Sequence, residues 1–250
     1  MFTFGSFDTD AVPGILATLR AWPAPNLKPE TVPLLDGEFY ARTGLGPVQF
    51  VFDVLLRAST PAAVHALRNQ LVGGCSPLLG VQALVPETGE GWVWWAVTSE
   101  VSDFDRGLWV NNVECQLRGQ VTFLVPEGVG WANPDETASG ATSATITRTR
   151  GNLPSFPAIT VEGNFDGVSI QIGAVTVDVD VAVAPGQRLV LDYQGLDFGV
   201  WAGSVKVAHA APGMTDFTRH TLPLGATTIT ATPTSGTVTS VGVAANSRRA

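Results

Sequence analysis

The stretch "TRTRGNLPSFPAITVEGNFDG", residues 147–167, decides how the chain divides. Pro154 and Pro157 hold the backbone extended while withholding N–H donors, which discourages pairing there, and "AITVEG" then opens a fresh alternation of apolar and polar residues. A strand ladder that restarts so late in a 250-residue chain reads as the opening of a second β domain, with residues 150–152 closing the linker side. On that reading the stretch is a hinge. Trypsin is expected to cut after Arg148 or Arg150 and free two folded halves.

On the C-terminal side, strand candidates follow one another at spacings of about ten residues. They are "ATITRT", "AITVEG", "VSIQIG", "AVTVDVDVAV", "RLVLDYQ", "GVWAGSVKV", "TTITAT" and "TVTSVGVAA", with Gly, Asn, Asp or Pro between them. The pattern predicts an all-antiparallel sandwich over residues 144–250. On the N-terminal side, "PEGVGWANPDETASGATS" (residues 126–143) crowds turn residues together without apolar periodicity, and residues 128–143 are expected to be a linker.

Residues 1–127 then form a first β domain with one helix. "PVQFVFDVLLRA" (residues 47–58) has the length and apolar content of a buried strand. In "STPAAVHALRNQLVGG", Ser59 or Thr60 suits the N-cap, Pro61 the first turn, and Gly73 a left-handed close, while Val64, Leu67 and Leu71 share one face. "LLGVQAL", "GWVWWAVTSEV" and "LWVNNVECQLRGQVTFLV" read as strands, the last two as a long hairpin. In the last, Val113, Cys115 and Leu117 face one way while Glu114, Gln116 and Arg118 face the other.

Composition narrows the function. Charged residues are 14% of the chain against 27 Gly and 17 Pro, the balance of short strands joined by turns. A net charge of −8 argues against sequence-specific nucleic-acid binding, which draws on clustered Lys and Arg. No apolar run approaches the roughly 20 residues that cross a bilayer, so no membrane insertion is expected. The first 19 residues carry Asp8 and Asp10 and no basic residue, so synthesis in a cytoplasm without a signal peptide is expected. Cys75 and Cys115 fit no zinc or redox spacing and read as two buried thiols.

Reactive constellations are sparse. His65, His209 and His220 are the only histidines, and none lies in a nucleophile or zinc motif. Glu100, Asp103 and Asp105 in "TSEVSDFDRG" adjoin the tryptophans of "GWVWWAV", a composition that would suit a glycosidase or a sugar site. Yet "SDFDRG" has hairpin-turn residues, and Trp92 and Trp94 must point opposite to Trp95 on a strand, which puts at least one ring in the core. Asp178 and Asp180 alternate with valines as a solvent-facing strand side does, without the spacing of a calcium loop. No catalytic residue, cofactor or metal is expected, and a protein that makes contacts is favoured over one that makes products.

The order of segments resembles the distal tail protein (Dit) family of long non-contractile-tailed phages and related minor tail proteins. The segments are "FTFGSFDT", "LLDGEFYARTGLGPVQFVFDVLL", the helix "TPAAVHALRNQLV", the Trp-rich hairpin closing in "QVTFLVPEGVGW", then "RGNLPSFPAITVEG", "RLVLDYQ" and "LPLGATTITATP". The resemblance spans nearly the whole chain and rests on order, since the family has no catalytic signature. It implies a structural protein at the virion tail tip and no enzyme activity. Its N-terminal domain would associate into a hexameric ring joining tail tube to baseplate hub, and its C-terminal domain would be a galectin-like sandwich outside that ring. Implied partners are further copies of itself, the tail tube protein, the tape-measure protein and the hub or tail-associated protein, with DNA passing through the lumen. Trp92, Trp94, Phe104 and Trp109 are the candidates for core or subunit contacts. An alternative is a carbohydrate-binding β-sandwich module, with Trp92, Trp109 and Trp201 as sugar contacts.

Overall fold

The computed structural model describes all residues except 26, 35–36, 88, 106–108, 111–113 and 213–219, and only the backbone for 27–34, 37–44, 109–110 and 114. The chain divides into two compact units, Met1–Asn133 with Ala250, and Pro134–Arg249. Both are antiparallel β structures, and the α-helix among the described residues lies in the first.

The first unit contains strands β1 (Thr3–Phe4), β2 (Phe7–Asp8), β3 (Ile15–Leu19), β4 (Leu27–Leu34), β5 (Gly37–Leu45) and β6 (Val48–Ala58). Helix α1 (Pro61–Gly74) follows, then β7 (Gln82–Val85), β8 (Trp92–Val101), β9 (Trp109–Val110), β10 (Glu114–Val125) and β11 (Gly130–Ala132). The strands pair in the order β2-β1-β7-β8-β10-β6-β3, with β9 beside β10 and β11 beside β8; β4 and β5 pair with each other as a separate two-stranded sheet among the described residues. Between β6 and β7, which lie apart in that order, the chain crosses through α1.

Burial on β6 alternates: Val48, Phe50, Phe52, Val54 and Leu56 point inward while Gln49, Asp53 and Arg57 are exposed. The strand expected to be wholly buried is therefore half-buried, because it packs a core on one face only. Phe2, Phe4, Phe52 and Phe123 meet there, with Phe2 ring centroids 4.6 Å from Phe52 and 5.2 Å from Phe123, and Phe4 4.7 Å from Phe123. Full burial of each such ring contributes about 1.5–3 kcal/mol.

Helix α1 closes this core with Val64 and Leu71. Thr60 is the N-cap, its Oγ1 accepting from Ala63 N at 3.2 Å, and Pro61 occupies the first turn. Gly73 does not close the helix in a left-handed conformation; the helix runs on to Gly74 and is capped by Cys75 at φ −110°, whose N–H donates to the Leu71 carbonyl. Gly74 is required for space, since a Cβ there would stand 2.4 Å from the Phe7 ring.

The second unit contains β12 (Thr137–Gly140), β13 (Ser143–Arg148), β14 (Ala158–Ile172), β15 (Val175–Val183), β16 (Gln187–Asp192), β17 (Asp197–Ala202), β18 (Val205–His209) and β19 (Gly225–Ala244). "AITVEG" and "VSIQIG" are thus one 15-residue strand, and "TTITAT" and "TVTSVGVAA" one 20-residue strand. β14 and β19 pair with each other from Ala158–Ala244 to Ile172–Ile229. The first half of β14 also takes β16 and the second half β15, while β19 takes β13 on its first half and β12 on its last.

The pair bends at a register irregularity between Glu162 and Gly163. There the two backbones come so close that a Cβ on Gly163 would lie 2.2 Å from the Thr237 carbonyl oxygen, and one on Gly236 (φ +90°) 2.2 Å from that of Asn164. Glycines that read as strand terminators in the sequence bend the strands instead. Buried residues on both sides of the bend, Ile159 and Val161 before it and Phe165, Val168 and Ile170 after it, join one core with Val177, Leu189, Val200, Ile229 and Val241. One sheet folded on itself thus makes the antiparallel sandwich.

The expected linker and hinge are both displaced. Residues 128–143 are built into the two units: β11 pairs with β8 in the first and β12 with β19 in the second. Short strands satisfy their backbone by pairing and need no apolar periodicity, which is why they read as linker. The stretch 147–167 lies wholly inside the second unit, its prolines separating β13 from β14.

Arg148, expected at an accessible cleavage point, is buried. Its guanidinium donates to the carbonyls of Leu222 (2.9 Å) and Leu153 (2.5 Å) and to Ser247 Oγ (3.3 Å). Around it, Glu136 accepts from Thr149 N, Thr149 Oγ1 and Ser247 Oγ at 2.6–2.7 Å, and Asp135 accepts from Asn246 N and Ser247 N. Burial opposes ionisation of Glu136, but these hydrogen bonds outweigh it and hold its pKa below the ordinary 4.5.

Three expectations test this architecture. Gly236→Ala lowers the stability of the second unit by about 2 kcal/mol or more, read by denaturant unfolding, because strained φ and backbone clash act together. Under native conditions trypsin leaves the bond after Arg148 intact. The stabilisation that Glu136 supplies as a carboxylate is complete above pH 4.5 and is lost as pH falls through its lower folded pKa. The difference in Tm between wild type and Glu136→Gln should therefore be largest near neutrality and shrink in acid.

Candidate functional site

The aromatic candidates of the first unit separate by face. On β8, Trp94, Ala96 and Thr98 are buried while Trp95 is 47% exposed, as strand alternation requires. Trp94 packs at 5.0 Å on Phe50, and Gly130 on the adjacent β11 leaves room for its indole, since a Cβ there would lie 2.7 Å from it. Trp94 is core. Trp92 is half-buried at the start of the same strand. Phe104 packs against the core cluster over Gly119, with the Arg68 guanidinium 5.9 Å from its ring centroid. The backbone of Trp109 pairs with Cys115; its side chain lies outside the described residues, as does Val113.

Glu100 does not share a groove with Asp103 and Asp105. Residues 102–105 run beside β10, with Ser102 N and Asp105 N donating to the carbonyls of Gln120 and Arg118. Asp103 and Asp105 line an open groove of about 710 Å³ with Asp53, Arg118, Leu16 and Leu55, and Glu100 is not part of that lining. His65 is exposed on α1, His209 is exposed on β18, and His220 is buried and stacked on Tyr193 at 5.2 Å. Asp178 and Asp180 are exposed and alternate with the buried Val177 and Val179. Both cysteines are buried and free, and burial pushes the Cys75 thiol up to about 12. A thiol held protonated is a poor nucleophile.

Among the described residues, two surfaces carry exposed groups in an arrangement that the strand pairing defines. On the first unit, the turn Pro77–Leu79 packs on β8, the strand of Trp95, and leaves Leu78 96% exposed, Leu79 47% and Val81 54%. On the second unit, Glu162, Arg188, Trp201 and Lys206 stand opposite one another on four neighbouring strands, β14, β16, β17 and β18. Trp201 was singled out from the sequence. Its three companions were not, because only the strand register places them beside it, and no local motif encodes register.

No protein-family model and no curated protein sequence matches the chain. The crystal structure of the Dit protein of phage SPP1, a paradigm of the hub adsorption apparatus in phages infecting Gram-positive hosts, aligns over 99% of this chain and 98% of its own. The TM-score is 0.67 at 10% sequence identity. Structures of the phage P2 baseplate in its activated conformation, with Ca and with Sr, align over 98% of this chain and 93% of theirs, at TM-scores of 0.46 and 0.45 and identities of 8% and 7%. The mainly-β fold expected from the sequence, and its likeness to a distal tail protein, are both present at the level of the whole chain.

The division of roles along β8 is measurable. Trp94→Ala should cost about 3–5 kcal/mol in denaturant unfolding, as large-to-small changes in a packed core do, whereas Trp95→Ala should change stability by no more than about 0.5 kcal/mol.

Proposed function

We propose that this chain is a structural protein of a long-tailed bacteriophage, located at the virion tail tip, where copies of its first unit close into a ring between tail tube and baseplate hub. The observation that carries this reading is the full-length likeness in fold to the SPP1 Dit protein, both units included. The exposed Leu78, Leu79 and Val81 support it, since residues 76–86 contain no charge and an apolar, uncharged stretch is what the centre of a subunit contact uses.

A ring of identical subunits repeats one heterologous contact, so a modest patch per chain is multiplied around the circle. Six copies are expected from the family resemblance, with tail tube, tape-measure and hub proteins as neighbours. The surplus of 22 Asp and Glu over 14 Lys and Arg suits a lumen that DNA crosses, because a negative wall repels phosphate and leaves exiting DNA unbound.

Native mass spectrometry and light scattering test the reading: a closed oligomer, six-membered by expectation, should form alone or with tail-tube and hub proteins. A chain that stays monomeric at high concentration and in their presence overturns it. Leu78→Glu should weaken self-association about tenfold or more while leaving monomer stability within about 0.5 kcal/mol, since the side chain touches little of its own subunit.

A further inference from the structure

Glu162, Arg188, Trp201 and Lys206 lie on the outer face of the second sandwich, because their neighbours Val161, Leu189 and Val200 fill the core. Beside them is a concavity of about 510 Å³, within the range of small-molecule sites, whose wall is completed by Asn164, Gln187, Thr237 and Thr239. It is built on paired strands with little freedom. Arg188 Nη2 donates to the Gly203 carbonyl at 3.2 Å, Gln187 Oε1 accepts from Ala184 N at 3.0 Å, and Lys206 is ion-paired to Asp197 with its ammonium 5.9 Å from the Trp201 ring centroid.

The chemistry of the wall selects its ligand. The Trp201 Nε1 is buried and has no hydrogen-bond partner, so what the indole presents to the concavity is carbon. Around that apolar surface stand one acid, one base, two amides and two hydroxyls. Glu162 and Arg188 are direct cross-strand partners that form no ion pair with each other, which leaves both able to bind a third party. A phosphate would meet the Glu162 carboxylate, with Lys206 already neutralised by Asp197. An extended peptide finds no backbone to pair with, because β16 and β17 each have strands on both sides. The surface calls for a small neutral molecule with one apolar face and a rim of hydroxyls.

We propose that this concavity binds a neutral saccharide, with Trp201 stacking on the apolar C–H face of one sugar ring and Glu162, Arg188 and Asn164 hydrogen-bonding its hydroxyls. The site belongs to the second unit alone and stands independently of ring formation. On the tail-tip reading it would give the virion a contact with host-surface glycan. Being open, it should bind weakly, with Kd on the order of 0.1–1 mM per site, strengthened by multiplicity in an oligomer.

Saturation-transfer NMR on the full chain tests the proposal, with a panel of neutral hexose and N-acetylhexosamine mono- and disaccharides as probes and a glycerol-phosphate polymer as contrast. At least one neutral sugar should bind, about tenfold more weakly to Trp201→Ala and at least about fivefold more weakly to Glu162→Gln, with oligomeric state unchanged. Absence of binding by every neutral sugar at about 10 mM, binding of the phosphate polymer alone, or binding undiminished in these variants overturns it. If Trp201→Ala fails to fold, Glu162→Gln and Arg188→Ala decide the same question. Failure here leaves the mass-spectrometric test of the ring untouched.

Discussion

At Gly163, against the Thr237 carbonyl, and at Gly236, against that of Asn164, two backbones approach more closely than any side chain would allow, and the second unit depends on that approach. A 20-residue strand at about 3.3 Å per residue would run on the order of 65 Å if straight. A domain of this size has a radius of gyration of only about 13 Å. β14 and β19 must therefore bend, and they must bend together because they are paired almost end to end. Placing the irregularity at two glycines lets the sheet fold over and bring Ile159 and Ile170, on opposite sides of the bend, into one core.

The same bend shapes the outside. Glu162, Gly163, Asn164 and Thr237, which flank the crossing, are also wall residues of the concavity beside Trp201. A fold that needs its strands to turn at this point thus supplies a hollow with polar residues projecting into it. Whether β-sheet geometry is being used for recognition turns on the chemistry placed there, and a carbon surface ringed by Glu162, Arg188 and Asn164 is not what mere solvation of a strand face requires.

The first unit solves a different problem with the same alternation. Its strands turn phenylalanines and Trp94 inward against α1, and what remains outside includes Trp95 and the uncharged turn of Leu78 and Leu79. Nothing about monomer stability asks for a leucine that is almost fully exposed.

The sequence by itself determined the mainly-β class, the helix with its Thr60 cap, the strand cores of β6, β8, β10 and β15, and the presence of two units, since each of these follows from local period and local turn chemistry. It also showed that Trp94 and Trp95 must point to opposite sides. Only the tertiary structure decided which of the two is core, that the boundary falls at Asn133 and Pro134, and that the segment from Arg148 to the prolines is an anchored connection inside a sandwich. The physical reason is the same in each case. A glycine may end a strand or bend it, an arginine may face water or fill a buried network with Leu153, Leu222 and Ser247, and the outcome depends on partners tens of residues away. The row of Glu162, Arg188, Trp201 and Lys206 exists only through register, which pairing across strands creates and no single strand contains.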